Sequence, residues 1–360
     1  MTWQNNFSFW RAPESAEIRS RFGIFLFNEE KSMKLVKWIG VGILGAAAQI
    51  ASAAGTLPGP LVTPQWLHEH LNEVTIVDIR DDMKTFSAEP KFEVDKKTGK
   101  KDLVETGGHI AGAISVDFNK IREERTVDGV KIKAQLPTAE YFTKVMDDFG
   151  LNKTDKPLVI VPTGESVDSM DMATRLYFQL RYFGEPRDKV AILNGGVNAW
   201  LQAGFPVSTD KVTATKGNWT AGPEDKAILA SMQQVKEGLQ KGSEQFVDAR
   251  PTAQFLGIVK KPINKTAGHL PGARSFPTDA IVKPVGAAHE FMTAEDYKKI
   301  YAEFNIQPNV PTVTYCNTGH LASGAWFVTH EILGNKNSKL YAGSMIEWTN
   351  LGNPTIGLQQ

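Results

Sequence analysis

The chain of 360 residues has a single cysteine, Cys316, so no intramolecular disulfide is available to it. It lacks an excess of either charge. Lys and Arg total 40 and Asp and Glu total 40, which argues against a nucleic-acid partner, since such a partner calls for a basic stripe. Low-complexity tracts are missing. So is any spacing of His, Cys, Asp and Glu that reads as a metal site. His68 and His70 flank Glu69 with no further ligands nearby, which suits an exposed helix face. Long apolar runs are nearly absent, and the one present, Trp38 to Ile50, is short of the roughly 20 residues that span a membrane. It follows Lys34 and Lys37 and precedes Ala51-Ser52-Ala53, the three parts of a secretory signal. The expectation is a signal peptide from Met33 cleaved near Ala53, with residues 1–32 as an upstream extension. The mature protein is then periplasmic or secreted and not stably inserted in a membrane. Gly40 to Gly45 spells G-x-G-x-x-G, but no strand precedes it and no βαβ unit follows, so dinucleotide binding is excluded there.

What is present is a repeat. TIVDIRDD from Thr75 resembles QFVDARPT from Gln245, and both strands end in Asp-x-Arg: Asp78 and Arg80, then Asp248 and Arg250. GGHIAGAISVDF from Gly107 resembles AGHLPGARSFPT from Ala267. PLVIVPTGES from Pro157 resembles PTVTYCNTGH from Pro311, and ILNGGVNAWLQAG from Ile192 resembles LYAGSMIEWTNLG from Leu340. One fold occurring twice in the same order accounts for this. Within each unit short apolar strands alternate with helical patterns, over Leu136 to Phe149 and Met172 to Tyr182, then Phe291 to Phe304 and Leu321 to Leu333. The fold class is therefore α/β: two tandem domains, each a mainly parallel sheet with helices on both faces. The boundaries expected are 54–208 for the first domain, 209–226 for a polar linker and 227–360 for the second. An insertion, Lys91 to Gly108, carries KKTGKK and reads as a solvated turn.

Ligands of parallel sheets bind beyond the carboxyl ends of the strands. There the strand Thr312 to Tyr315 delivers Cys316 to a turn of small or polar residues, just before the helix expected from Leu321. The first N–H groups of a helix lack intrahelical partners, and its dipole is positive at that end. A sulfur held over it is favoured as the reactive thiolate. The competing reading of a lone cysteine is a buried small hydrophobe.

Two Asp-x-Arg strands, two G-H-[IL]-x-G-A turns, a cysteine loop in the second unit and two Trp-containing ends together resemble the tandem-domain rhodanese family of sulfurtransferases, over about Leu61 to Gly352. The resemblance implies a catalytic second domain and an inactive first one, and Thr163 stands where Cys316 stands in the repeat. It implies that Cys316 is the nucleophile, taking a sulfane sulfur from a small anionic donor, thiosulfate or a mercapto acid. A persulfide then passes the sulfur to a thiol or cyanide acceptor. Asn317, Thr318, Gly319, His320 and Leu321 would hold the donor and the persulfide. No cofactor and no metal are implied.

Some family features are missing. Thiosulfate-using members place basic residues directly after the cysteine, where this chain has Asn317 and Thr318. Mercaptopyruvate-using members have Gly-Ser-Gly or a close variant, matched here only at Gly319. Members using either donor often carry an Arg four positions past the Asp-x-Arg arginine, a place held by Gln254. The donor stays open on these residues. His320 could supply charge to an anionic donor. Arg250 is read mainly as the partner of Asp248, with donor contact as the second reading. His109 and His269, at matching repeat positions, are read as structural, and Trp200 and Trp348 as core. Phosphatases of this fold end their cysteine loop in an Arg that grips phosphate, and Leu321, Ala322 and Ser323 offer none. The alternative from another class is a persulfide carrier without turnover, or a binding module.

Overall fold

The structure is a computed structural model, and it describes residues 57–358. The expected signal peptide and the residues before it lie outside the described residues. No helix among the described residues is long and apolar enough to cross a membrane.

Five strands build the first sheet: β1 (Leu61–Val62), β2 (Thr75–Arg80), β3 (Ile114–Asp117), β4 (Leu158–Pro162) and β5 (Val190–Leu193). They run parallel in the order β1-β5-β4-β2-β3. Four build the second: β6 (Gln245–Asp248), β7 (Arg274–Ser275), β8 (Thr312–Tyr315) and β9 (Ser338–Leu340), parallel in the order β7-β6-β8-β9. Leu229 bridges Leu340 at the outer edge, as β1 pairs with β5 in the first sheet. The central strands β4 and β8 are buried along their whole length, and continuous Val, Ile, Leu, Thr and Tyr runs suit a sheet covered on both faces.

Side-chain caps set the helix starts. Thr138 accepts a hydrogen bond from the Tyr141 N–H and opens α1 (Ala139–Asp148). Ser166 forms a reciprocal capping box with Ser169, so α2 (Val167–Tyr182) begins five residues before the apolar pattern does. After α3 (Gly196–Gln202) and α4 (Met232–Lys241), Thr293 caps α5 (Ala294–Glu303) through Asp296. The helix expected over Leu321 to Leu333 is α-helical only as α6 (Leu321–Trp326). It continues as a π-turn over Phe327–Ile332. Last comes α7 (Ser344–Asn350).

The domains share one apolar core. Tyr177 and Phe178 of α2 pack edge-on against Phe327 and Trp326, with centroids 5.0 Å apart in both pairs. The Thr174 and Ser323 hydroxyls hydrogen-bond across α2 and α6 at 2.8 Å. The segment between the sheets is not a free tether. Trp219 is buried, its backbone N–H donates to Leu151 and its indole N–H to Glu185. The KKTGKK residues form the exposed end of a hairpin joining strands Lys91–Val94 and Lys101–Glu105.

Candidate active site

β8 ends at Tyr315 and hands Cys316 to the loop before α6. The loop's carbonyls are tied inward. The Cys316 carbonyl accepts from Met345 N–H at 3.0 Å and that of Asn317 from Ile346 N–H at 2.9 Å, both at the start of α7. The Cys316 N–H donates to Ser344 Oγ at 3.1 Å. The Asn317 side chain is held at both ends. Its Oδ1 accepts from Asn264 at 2.7 Å, and its Nδ2 donates to Gln254 at 2.8 Å. Gln254, placed where relatives often have Arg, thus fixes the loop. With the carbonyls so tied, the N–H groups of Asn317, Thr318, Gly319, His320 and Leu321 make no hydrogen bond among the described residues. Successive N–H groups left without acceptors are the kind of donor set that can take up an anion.

The loop of the first domain is arranged differently. There Ser169 Oγ accepts from the N–H groups of Gly164 and Ser166, and the His289 N–H of the second domain donates to the Gly164 carbonyl. Thr163 occupies the position of Cys316, and two of the N–H groups that follow it, those of Gly164 and Ser166, are taken up by Ser169.

The Cys316 side chain is 1% exposed. Beside its loop lies a cleft of about 330 Å³ lined by Thr318, His320 and Ile346 from the second domain, by Lys261, and by Arg122 and Asp168 from the first. Arg122 lies with its guanidinium 4.2 Å over the Phe118 ring. Burial lowers its pKa, against the pull of Asp168 and Asp81. His320 does not supply charge here. Burial, reinforced by Arg122 and Arg175, brings its pKa down to about 3, so the ring is neutral near pH 7, and its Nε2–H donates to the Asp168 carbonyl at 3.2 Å. Positive charge reaches the site instead from Lys261 and from Arg122 and Arg175 of the first domain.

Arg250 is 1% exposed and is not among the residues that line the cleft. Its guanidinium binds Asp248 through two nitrogens, at 2.6 Å at the shortest, and donates to the Gly268 carbonyl at 2.8 Å. Burial opposes its charge, but Asp248 outweighs burial and holds it above its ordinary value. The first domain repeats the motif: Arg80 binds Asp78 and the Gly108 carbonyl. Both histidines of the repeat also match. His109 stacks on Phe86 and donates to its carbonyl, and His269 does the same with Phe255. Trp200 and Trp348 are buried, with their indole N–H groups on Pro206 and Pro354. His68 stacks on Phe205 and His70 on Trp66.

Arg175 of α2 was not singled out by sequence reading. It is fully buried, and its Nη1 donates to the Gly319 carbonyl of the cysteine loop at 3.0 Å. A signal for it did exist. Asp171, Arg175 and Gln179 recur every four residues as a polar stripe along one face of α2.

Two sheets of this topology, joined through one core with a cysteine loop at the head of a helix, define a tandem-domain α/β protein. Residues 63–203 and 231–351 each match the rhodanese-like domain model, and the chain belongs to that family. Among curated relatives, it is 28% identical over 304 residues to "Putative thiosulfate sulfurtransferase 1" of Mycobacterium bovis, covering 83% of this chain and 97% of the relative. It is 26% identical over 305 residues to the sulfur carrier protein TtuD of Thermus thermophilus, covering 82% and 95%. Among solved structures, the 3-mercaptopyruvate sulfotransferase SseA of Escherichia coli superposes with a TM-score of 0.63 at 24% identity, over 79% of this chain and 98% of that one. The anaerobic ergothioneine biosynthesis enzyme of Chlorobium limicola gives 0.64 at 22% identity, over 83% and 70%. These likenesses show the fold.

Proposed function

We propose that the protein is a sulfurtransferase that carries a sulfane sulfur on Cys316, from a small anionic donor such as thiosulfate or a mercapto acid to a thiol or cyanide. The observation that carries this reading is the set of five N–H groups following Cys316 that are unengaged among the described residues, where Ser169 takes up two of those following Thr163. Donors fixed toward a developing negative charge stabilise it without reorganisation. The Cys316 thiolate attacks the outer sulfur of the donor. With thiosulfate, the new S–S bond forms as the donor's S–S bond breaks, and sulfite leaves with that bond's electron pair. The persulfide keeps one negative charge on its outer sulfur. Cyanide then bonds to that sulfur, the persulfide S–S bond breaks, and thiocyanate leaves behind the original thiolate.

Burial of Cys316 restricts access to a slender terminal sulfur, arriving through the cleft past Thr318 and His320. Arg122 and Lys261 at the cleft, and not the neutral Asn317 and Thr318, give the donor its positive surroundings. The same reading places the mature protein outside the cytoplasm, on the strength of residues 33–53, and cell fractionation checks it.

Steady-state assays of Cys316→Ser and the unmodified protein with thiosulfate and mercaptopyruvate test the proposal. Turnover with at least one donor, abolished by the substitution, is expected. A Ser variant of undiminished activity contradicts the mechanism.

A further inference from the structure

Three guanidinium groups interact electrostatically with Cys316: those of Arg122, Arg175 and Arg250. Two of them have acidic company. Arg250 is paired with Asp248, and Arg122 at the cleft has Asp168, Asp81 and Asp117 around it. Arg175 has none. It is fully buried, and among the described residues no ion pair joins it to a carboxylate. Asp171, one turn earlier on α2, is no counter-ion. Both its carboxyl oxygens lack partners, and burial raises its pKa well above the ordinary carboxylate value. Asp168 at the head of α2 has a side chain 59% exposed and lies beside His320. Arg175 itself, lowered by burial and by Arg122 to about 9, is still a cation at neutral pH.

Its hydrogen bonding is equally incomplete. Nη1 donates to the Gly319 carbonyl, while Nε and Nη2 have no partner. Gly319 has φ +76°, and a Cβ there would strike both Arg175 Nη1 and the Ala342 carbonyl. The glycine is what lets a guanidinium lie against the loop. A buried cation with spare N–H groups is costly unless a negative charge joins it. The group placed to become negative is the sulfur of Cys316.

We infer that Arg175, a side chain of the first domain, is the fixed counter-charge of the thiolate and persulfide on Cys316 in the second. The inference rests on the sulfur-transfer reading above. Both sulfur states carry one negative charge, so one immobile cation serves both. It also explains how Asn317 and Thr318 can be neutral, and gives the domain without a cysteine a part in the reaction. Arg175 does not line the cleft, so it is a positioning residue acting on the sulfur, and its loss falls on kcat more than on KM.

The test compares Arg175→Gln, which keeps a donor for Gly319 but no charge, with Arg175→Lys, which keeps the charge. In the full chain the pH profile of Cys316 alkylation by iodoacetamide is measured, with kcat and KM for thiosulfate and the far-UV spectrum. Arg122, Arg250, Asp168, Asp171 and His320 are the same in both variants, so a moved midpoint reports position 175. The Gln variant is expected to move the midpoint upward by about one pH unit and to lower kcat about tenfold, with KM within about threefold. The Lys variant should stay within about half a unit. Arg187→Gln, which loosens the contact with Glu331 far from the loop, should lower Tm and leave the midpoint alone. An unmoved midpoint in a folded Gln variant overturns the inference. If that variant does not fold, the Lys variant decides: a folded Lys protein displaced by a full unit or more also overturns it. A midpoint that moves as expected in a protein that takes sulfur from no donor leaves the counter-charge standing and removes the sulfur-transfer reading instead.

Discussion

Ser344 adopts a left-handed backbone, φ 52°, where the matching residue of the first domain is Gly196 with φ 58°. A residue with a side chain costs roughly 1–2 kcal/mol in that conformation. The serine hydroxyl offsets this by accepting from the Cys316 N–H at 3.1 Å while donating to the Tyr341 carbonyl at 2.9 Å. Strain thus sits beside Cys316, where it fixes the loop. Ser344→Gly should relieve the strain and lose two hydrogen bonds of about 0.5–1.5 kcal/mol each, leaving Tm nearly unchanged while turnover falls severalfold. Thermal melts with parallel assays check this, and equal losses of Tm and activity would argue against a positioning role. Residues of this kind were only partly legible in the sequence. Cys316 announced itself by its rarity and its place after a strand. The pairing of Arg250 with Asp248 was legible because Arg80 and Asp78 repeat it in a domain without a cysteine. The neutrality of His320 was not, because it depends on burial against Arg122 and Arg175, which come from the other half of the chain.

At the scale of elements, the two strand-loop-helix units differ: the left-handed glycine is Gly164 in the first loop and Gly319 in the second, and Ser169 engages N–H groups only in the first. Ser166 and Ser169 fill the first loop, whereas His320 at the head of α6 makes no side-chain cap. Thr163→Cys in a Cys316→Ser background should therefore acquire no persulfide, since Ser169 takes up the Gly164 and Ser166 N–H groups and the Glu165 carboxylate would repel an anionic donor. Intact-mass measurement after donor treatment checks it, and a gain of sulfur on that variant would show that unengaged N–H groups are not the deciding feature. The helices themselves could be read to within a few residues from apolar spacing. The early start of α2 could not, because its first turn is defined by a capping box in a polar stretch. The π-turn over Phe327–Ile332 has no counterpart in apolar spacing either.

On the scale of the whole molecule, the domains are joined by polar contacts as well as by the common core. Glu331 lies in the π-turn that follows α6 and meets Arg187 of the first domain, with His330 beside it at 3.0 Å. Burial would raise the Glu331 pKa, but His330 and Arg187 outweigh burial and bring it to about 2. A carboxyl depressed in the folded state stabilises it fully above the unfolded pKa of 4.5 and loses that contribution as pH falls through about 2. Tm should therefore decline between about pH 5 and pH 2, and Glu331→Gln should flatten that limb while lowering Tm at pH 7. An acid limb of unaltered slope in the variant would assign the acid sensitivity to other groups. The existence of two domains was legible from the repeat. Their docking was not, since α2 reads as an ordinary amphipathic helix until Thr174 and Arg175 are seen to meet Ser323 and Gly319.

The most direct measurement is peptide-level mass spectrometry of the protein incubated with thiosulfate or mercaptopyruvate, before and after cyanide. The account predicts one added sulfur on the peptide containing Cys316, removed by cyanide as thiocyanate and restored in further cycles. A Cys316 peptide that gains no sulfur from either donor would contradict it.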